Sequence, residues 1–291
     1  MATPSEMPFA RPQLRSLIGI LALLWFSAVL LIAIAETESW LPFPPTDPIL
    51  TPFIYLWLFG GGSVWMLWRY RYWEVDFQAL WGPWPSPVPW RAMLGVWITV
   101  FVFSIGAFQF TYGLFSWVSP DAVEGLLNQS LFLSAEDTAL PGLYNAMMLV
   151  VLVVGAPILE EFLFRGVLLQ RLAVRWGMPA AVILSSVIFG ILHANFVGLS
   201  VFGLFMALVY LQTRSLGLAI AIHALNNAIA AGMERTTALL SPDAQPTLES
   251  FQNNWWMGLV LLAVATPFLV RYVRSVWGFT QKPLPYLRSR G

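Results

Sequence analysis

Glu160, Glu161 and Arg165 lie in the run Ala156-Pro-Ile-Leu-Glu-Glu-Phe-Leu-Phe-Arg165, whose other residues are apolar. Ionisable groups inside such a run are costly to bury and by default mark function. On a helix Glu161 and Arg165 share a face, four residues apart with the acid N-terminal, which suits mutual neutralisation. Glu160 is turned about 100° from Glu161 and faces a different neighbour. It reads as the unpaired carboxylate, the group that general acid–base chemistry needs. The same three residues would also serve as an interhelical ion network, or stand in water if the helix ended near Leu159. Pro157, one turn earlier, removes an amide, so the helix is expected to kink or to free the Val153 carbonyl, opening room for water.

The chain has only two histidines, His193 and His223, and both fall within apolar stretches. A lone membrane histidine usually bridges helices by a hydrogen bond. Two of them, together with an unpaired glutamate, point to a site. His223 and Asn227 are spaced i to i+4 and share a helical face, with Asn226 beside it. Asn195, two residues beyond His193, reads as a helix-end cap. Glu160, His193 and His223 supply one carboxylate and two imidazoles, ligands enough for a catalytic zinc with an open position, and the same groups work without metal. The helical His-Glu-x-x-His motif of soluble zinc peptidases is absent. No other cofactor is implied. With no cysteine in the chain, disulfides, thiolate metal sites and cysteine nucleophiles are excluded.

The elements that hold these groups must be transmembrane helices. Of 291 residues, 58% are hydrophobic and 10% charged, whereas soluble domains carry roughly a quarter charged residues. Apolar stretches able to cross roughly 30 Å of hydrocarbon run about Leu17 to Ala35, Leu50 to Trp68, Ala92 to Leu114, Leu143 to Leu169, Pro179 to Phe196, Gly198 to Thr213, Leu216 to Gly232 and Trp255 to Val270. The expected fold is therefore all-α, a polytopic membrane protein of about eight transmembrane helices.

With both termini cytoplasmic, Arg11, Arg15, Arg69, Arg71, Arg91, Arg171, Arg175, Arg214, Arg271, Arg274, Lys282, Arg288 and Arg290 share that side and only Arg235 lies opposite. The opposite loops collect Glu36, Glu38, Asp47, Asp121, Glu124, Glu136, Asp137, Glu234, Asp243 and Glu249. An odd number of crossings would scramble this asymmetry. Trp40, Trp73, Trp90, Trp117, Trp255 and Trp277, near span ends, fit interfacial belts. Ala33-Ile34-Ala35 resembles a signal-peptidase site, but the long apolar run before it favours a retained anchor. Pro83, Pro85, Pro87 and Pro89 rule out a continuous helix from Trp81 to Trp90, leaving a stiff linker.

The chain divides into residues 1–142, with three helices and a Pro/Trp-rich cytoplasmic linker at 72–91; residues 143–232, with the polar groups; and residues 233–291, with the last helix and a basic tail. No repeat and no basic–aromatic pattern for nucleic acid is present. The expected partners are the lipid bilayer and a membrane-associated peptide or protein, in the plasma or inner membrane of a prokaryote.

Depth links the polar residues. For antiparallel neighbours, residues equidistant from the connecting turn share a level in the bilayer, and the midpoint of Glu160 and His193 falls at Trp176-Gly177, before Met178-Pro179, where a turn is expected. A turn at Ser215 and another near Gly198 set His223 and His193 within about one helical turn in height.

Glu160-Glu161-x-x-x-Arg165, then Phe189-x-x-x-His193, then His223-x-x-x-Asn227 resembles the three ordered motifs of the CPBP family, the CaaX prenyl endopeptidases and related bacteriocin-processing and immunity proteins, also called the Abi family. The resemblance covers about Leu143 to Gly232. It implies an all-helical fold with a polar cavity and an intramembrane endopeptidase that cleaves near the end of a membrane-associated substrate. By carry-over, Glu160 activates water, His193 helps hold it, and His223 and Asn227 donate to the oxyanion. Glu161 and Arg165 brace the site, with Phe189 and Asn226 nearby. Two other classes use similar residues: an ion- or proton-coupled transporter, against which no repeated halves are found, and a non-catalytic scaffold or immunity protein.

Overall fold

The computed structural model describes residues 8–10, 14–88, 90–240 and 247–289. Arg11, Pro89, Asp243 and Arg290 of the charge and proline patterns lie outside the described residues. Every regular element among the described residues is helical. Eight apolar helices are α1 (Leu14–Thr37), α2 (Leu50–Tyr72), α3 (Trp90–Phe115), α4 (Pro141–Trp176), α5 (Met178–Ile191), α6 (Phe196–Thr213), α7 (Leu216–Leu240) and α8 (Trp255–Gln281). Seven are long and apolar enough to cross a membrane, and α5 is the short one. Its 14 residues reach about 21 Å at ~1.5 Å per residue, less than the roughly 30 Å of hydrocarbon. The span expected to run to Phe196 instead stops at Ile191 because Asn195 starts the next helix. The Asn195 side chain accepts from the Gly198 amide, the capping role expected of it.

Lipid-facing surface is plain on α1, where Phe26 is 70% exposed in the isolated protein. Trp40, Trp90 and Trp117 are exposed as interfacial residues should be. Trp73 departs from that pattern. It is buried, with the Arg69 guanidinium 4.6 Å from its ring centre, a cation–π contact that draws it off the lipid interface.

The chain forms two compact units. One comprises residues 1–77, 130–163 and 220–238, and the other residues 78–129, 164–219 and 239–291. In the first, α1 packs on α2, and α2 on the N-terminal half of α4. Before α2, the Asp47 carboxylate accepts from Thr138 Oγ1 at 2.6 Å and from the amides of Ile49 and Ala139 at 2.9 Å. The Thr138 hydroxyl first, then these amides, hold the Asp47 carboxyl below the ordinary range.

In the second unit α3 lies against α8, and α6 against both α3 and α5. Two glycines allow the α3–α8 contact. A Cβ on Gly106 would come within 2.8 Å of Leu261 Cβ, and one on Gly258 within 2.7 Å of the Gly106 carbonyl oxygen. The α4–α5 turn falls where expected, at Gly177, whose φ of +82° suits glycine. Pro179 then starts α5 where a missing amide costs nothing. The turn before α7 is also as expected, with Arg214 in the left-handed region at φ +59° and Leu216 opening the helix. The Phe77–Trp81 helix ends at the proline-rich linker, which is non-helical from 82 to 88.

Candidate active site

In the first unit the α4 acids meet α7. Glu160 and Glu161 lie on the α-helical turn Ala156–Glu161, between π-helical turns at Val151–Gly155 and Phe162–Leu168. The first π turn ends two residues before Pro157, where a kink or a freed Val153 carbonyl is expected. With no amide to offer Val153, the wider turn takes up the missing bond, and π turns of this kind recur at functional sites. Glu160 is 6% exposed, Glu161 0% and His223 3%. His223 Nδ1 lies 2.9 Å from Glu161 Oε1. His223 Nε2 lies 3.8 Å from Glu160 Oε2. One imidazole thus addresses both acids, its Nδ1 hydrogen donated to Glu161 and its Nε2 turned to Glu160. This is the arrangement by which a second carboxylate fixes a histidine's tautomer and ring orientation.

Glu160 is not solitary, as its position on the helix had suggested. Tyr55 on α2 donates its hydroxyl to Glu160 Oε1 at 2.8 Å. The Tyr55 ring stacks on Phe59, with centroids 4.6 Å apart. Sequence reasoning missed Tyr55 because it stands in a stretch rich in aromatics, where one more tyrosine reads as an interfacial or packing residue. The residues after it, Leu56–Gly60, form a third π turn, which is invisible in a pattern of apolar residues.

One turn beyond His223, Asn227 Nδ2 donates to the Leu152 carbonyl at 2.9 Å, inside the first π turn. Asn226 Nδ2 donates in turn to Asn227 Oδ1 at 3.3 Å. Asn227 therefore satisfies a backbone acceptor in that widened turn, and its second amide hydrogen is directed elsewhere.

The other expected residues gather in the second unit. His193 sits not inside a span but on the turn at 192–195 between α5 and α6, half-buried. Its Nδ1 is 2.7 Å from the Phe189 carbonyl oxygen. Because a carbonyl only accepts, Nδ1 carries the hydrogen, and Nε2 is the nitrogen left for other partners. The ring stacks on Phe189 at 4.6 Å between centroids, and the Arg165 guanidinium stands 5.2 Å from the same Phe189 ring. Arg165, 2% exposed, also donates from Nη2 to the Gly203 carbonyl at 2.9 Å. The spacing of Phe189 and His193 thus has a physical content. One aromatic residue supplies both the carbonyl and the ring face that orient the imidazole. Below it, Gln170 Nε2 donates to the Arg165 carbonyl at 3.3 Å and to the Tyr210 hydroxyl at 2.9 Å.

Among the described residues, seven apolar helices long enough to cross a membrane fit an integral multi-pass membrane protein, and the buried carboxylate–imidazole–carboxylate cluster lies on two of them. Residues 142–229 match the family model described as "Type II CAAX prenyl endopeptidase Rce1-like", a CPBP-type family. That segment contains both acids, both histidines, Arg165, Phe189, Asn226 and Asn227, and the CPBP resemblance of the ordered motifs is shown there. The matched family is one of prenyl endopeptidases. No curated protein and no solved structure gives a significant match to the chain.

Proposed function

We propose that this protein hydrolyses a peptide bond of a membrane-associated peptide or protein, with Glu160 as the base that activates water. The observation that carries this reading is the Glu160–His223–Glu161 cluster, buried and inside the segment that matches the Rce1-like family. Glu160 Oε2 takes a proton from water as the water oxygen bonds to the scissile carbonyl carbon, and the proton passes on to the leaving amine as the C–N bond breaks. The Tyr55 hydroxyl fixes the other oxygen of Glu160, so Oε2 is the one that works. By the family resemblance, His193 of the second unit is assigned a part in holding that water. His223, held by Glu161, is the donor from Nε2 to the developing oxyanion, and Asn227 adds its remaining amide hydrogen. Arg165 and Phe189 hold the His193 ring.

Zinc fits part of this donor set. Glu160 Oε2 and His223 Nε2 are 3.8 Å apart, a separation that two ligands at about 2.0–2.2 Å from one ion can span, and Glu161 stands behind His223 as such ligands require. Among the described residues no group of three His, Cys, Asp or Glu side chains is placed to hold a metal ion; a bound zinc would supply Lewis-acid polarisation of water or carbonyl. Both termini are proposed to be cytoplasmic from the charge asymmetry of the loops.

The test is cleavage of a membrane-tethered peptide library by purified protein in lipid, comparing wild type, Glu160→Gln and His193→Ala, each with and without chelator. The expected result is product from wild type and loss of about a thousandfold in Glu160→Gln. Loss of wild-type activity in chelator assigns the metal. Cleavage that persists in Glu160→Gln removes the assigned base, and a folded protein that cleaves nothing removes the peptidase reading.

A further inference from the structure

The second unit has a feature unrelated to the acids. Between α3, α6 and α8 lies an apolar groove of about 370 Å³, lined in part by Val100, Leu204, Leu208 and Leu269. Beside it, between α3 and α8, is a cavity of about 640 Å³ whose lining includes Arg91, Thr99, Arg271 and Ser275. Tyr272 lines both. Arg274 stands at the groove.

Helix direction brings these cations together. Arg91 is the second residue of α3 and Arg271 lies near the C-terminal end of the Trp255–Val276 helix. The Gly106–Gly258 contact shows the two helices packed closely, and with Arg91 and Arg271 on one cavity they run antiparallel. Two arginines from different helices therefore line one cavity beside the apolar groove. Neither Arg91 nor Arg271 has an ion-pair or hydrogen-bond partner among the described residues. Both are exposed, and Phe268, on the wall of the same cavity, is 63% exposed as a lipid-facing residue would be. Cations without protein partners beside a hydrocarbon-lined groove complement one kind of ligand, a phosphate attached to an acyl chain.

We propose that this face holds an anionic phospholipid, its phosphate between Arg91 and Arg271 and one acyl chain along the groove below Tyr272. The site is independent of Glu160 and of the hydrolytic reading. A positive-inside bias alone scatters cations around the interface. It does not join two of them to a groove with a common wall.

Native mass spectrometry of the full chain, released from detergent with equimolar phosphatidylglycerol and phosphatidylcholine, tests the site. One retained phosphatidylglycerol is expected. Retention should fall about thirtyfold in Arg91→Ala/Arg271→Ala, which is about 2 kcal/mol for two interfacial cations, and stay unchanged in Arg175→Ala, a cation elsewhere in the unit. Filling the groove with Leu204→Trp should also release the lipid, and millimolar inorganic phosphate should not. Equal loss in Arg175→Ala, retention unaffected by the groove substitution, or displacement by inorganic phosphate would each overturn the proposal. Should the alanine pair fail to fold, Arg271→Gln alone carries the test, with about a fivefold loss expected and no loss contradicting it.

Discussion

His193 and His223 are oriented by one device in two settings. Each presents Nδ1 to an oxygen acceptor, the Phe189 carbonyl for His193 and the Glu161 carboxylate for His223, and each is left with Nε2 for other work. The acceptors differ in charge. A neutral carbonyl orients the His193 ring through Nδ1, whereas a charged carboxylate does so for His223. The settings differ too, since His193 is half-buried on a turn and His223 is buried in a helix. A protein that needs one imidazole to accept a hydrogen bond and another to donate one can obtain both from a single residue type by changing what stands behind it.

The largest effects should separate these two residues. His193→Ala and His223→Ala are each expected to lower kcat about a hundredfold, measured on the cleaved peptide. Their stabilities should diverge. Loss of His223 strips a hydrogen bond from Glu161 in the interior and should cost about 2–3 kcal/mol, while loss of His193 removes a stacked ring from a turn and should cost about 1 kcal/mol, both read by denaturation in detergent. Equal destabilisation would break the comparison.

A smaller effect sharpens it. Tyr55→Phe keeps the ring against Phe59 and removes only the hydroxyl on Glu160, so kcat should fall about tenfold with KM and melting temperature unchanged, and the substitution should add nothing in a Glu160→Gln background. A KM effect would place Tyr55 in substrate binding instead.

The smallest is outside the membrane. The Asp47 carboxyl lies below its ordinary value, so its clasp contributes stability that is present above the unfolded pKa of about 3.9 and is lost as pH falls through the lower folded value. Asp47→Asn should lower the melting temperature slightly at neutral pH and flatten its fall in acid. An unchanged acid slope would show that the Thr138 and backbone donors do not set it.

Much of this was legible in the sequence. Membrane helices need long apolar runs, so seven of the eight expected spans and most of their ends follow from composition, and the charged residues left within them stand out against that background. The turns at Gly177 and Arg214 follow from the residues that tolerate them. What stayed hidden depended on contacts between distant segments. Tyr55 gains its meaning only by touching Glu160, 105 positions away in the chain. Asn227 is one turn from His223, yet its acceptor at Leu152 exists because a π turn precedes Pro157, and a pattern built on 3.6 residues per turn has no place for it. The end of α5 was misplaced because an apolar stretch runs on through Leu192 and Phe196, while the break is made by one capping side chain, Asn195.

The central claim is that Glu160 acts on water and is never itself bonded to substrate. Single-turnover cleavage in water enriched in oxygen-18, followed by mass spectrometry of the released peptide and of the Glu160-containing fragment, tests it directly. The account predicts one heavy oxygen in the new carboxylate of the product and none in Glu160. Heavy oxygen in the Glu160 carboxylate would mean an acyl intermediate on that residue and would contradict the account.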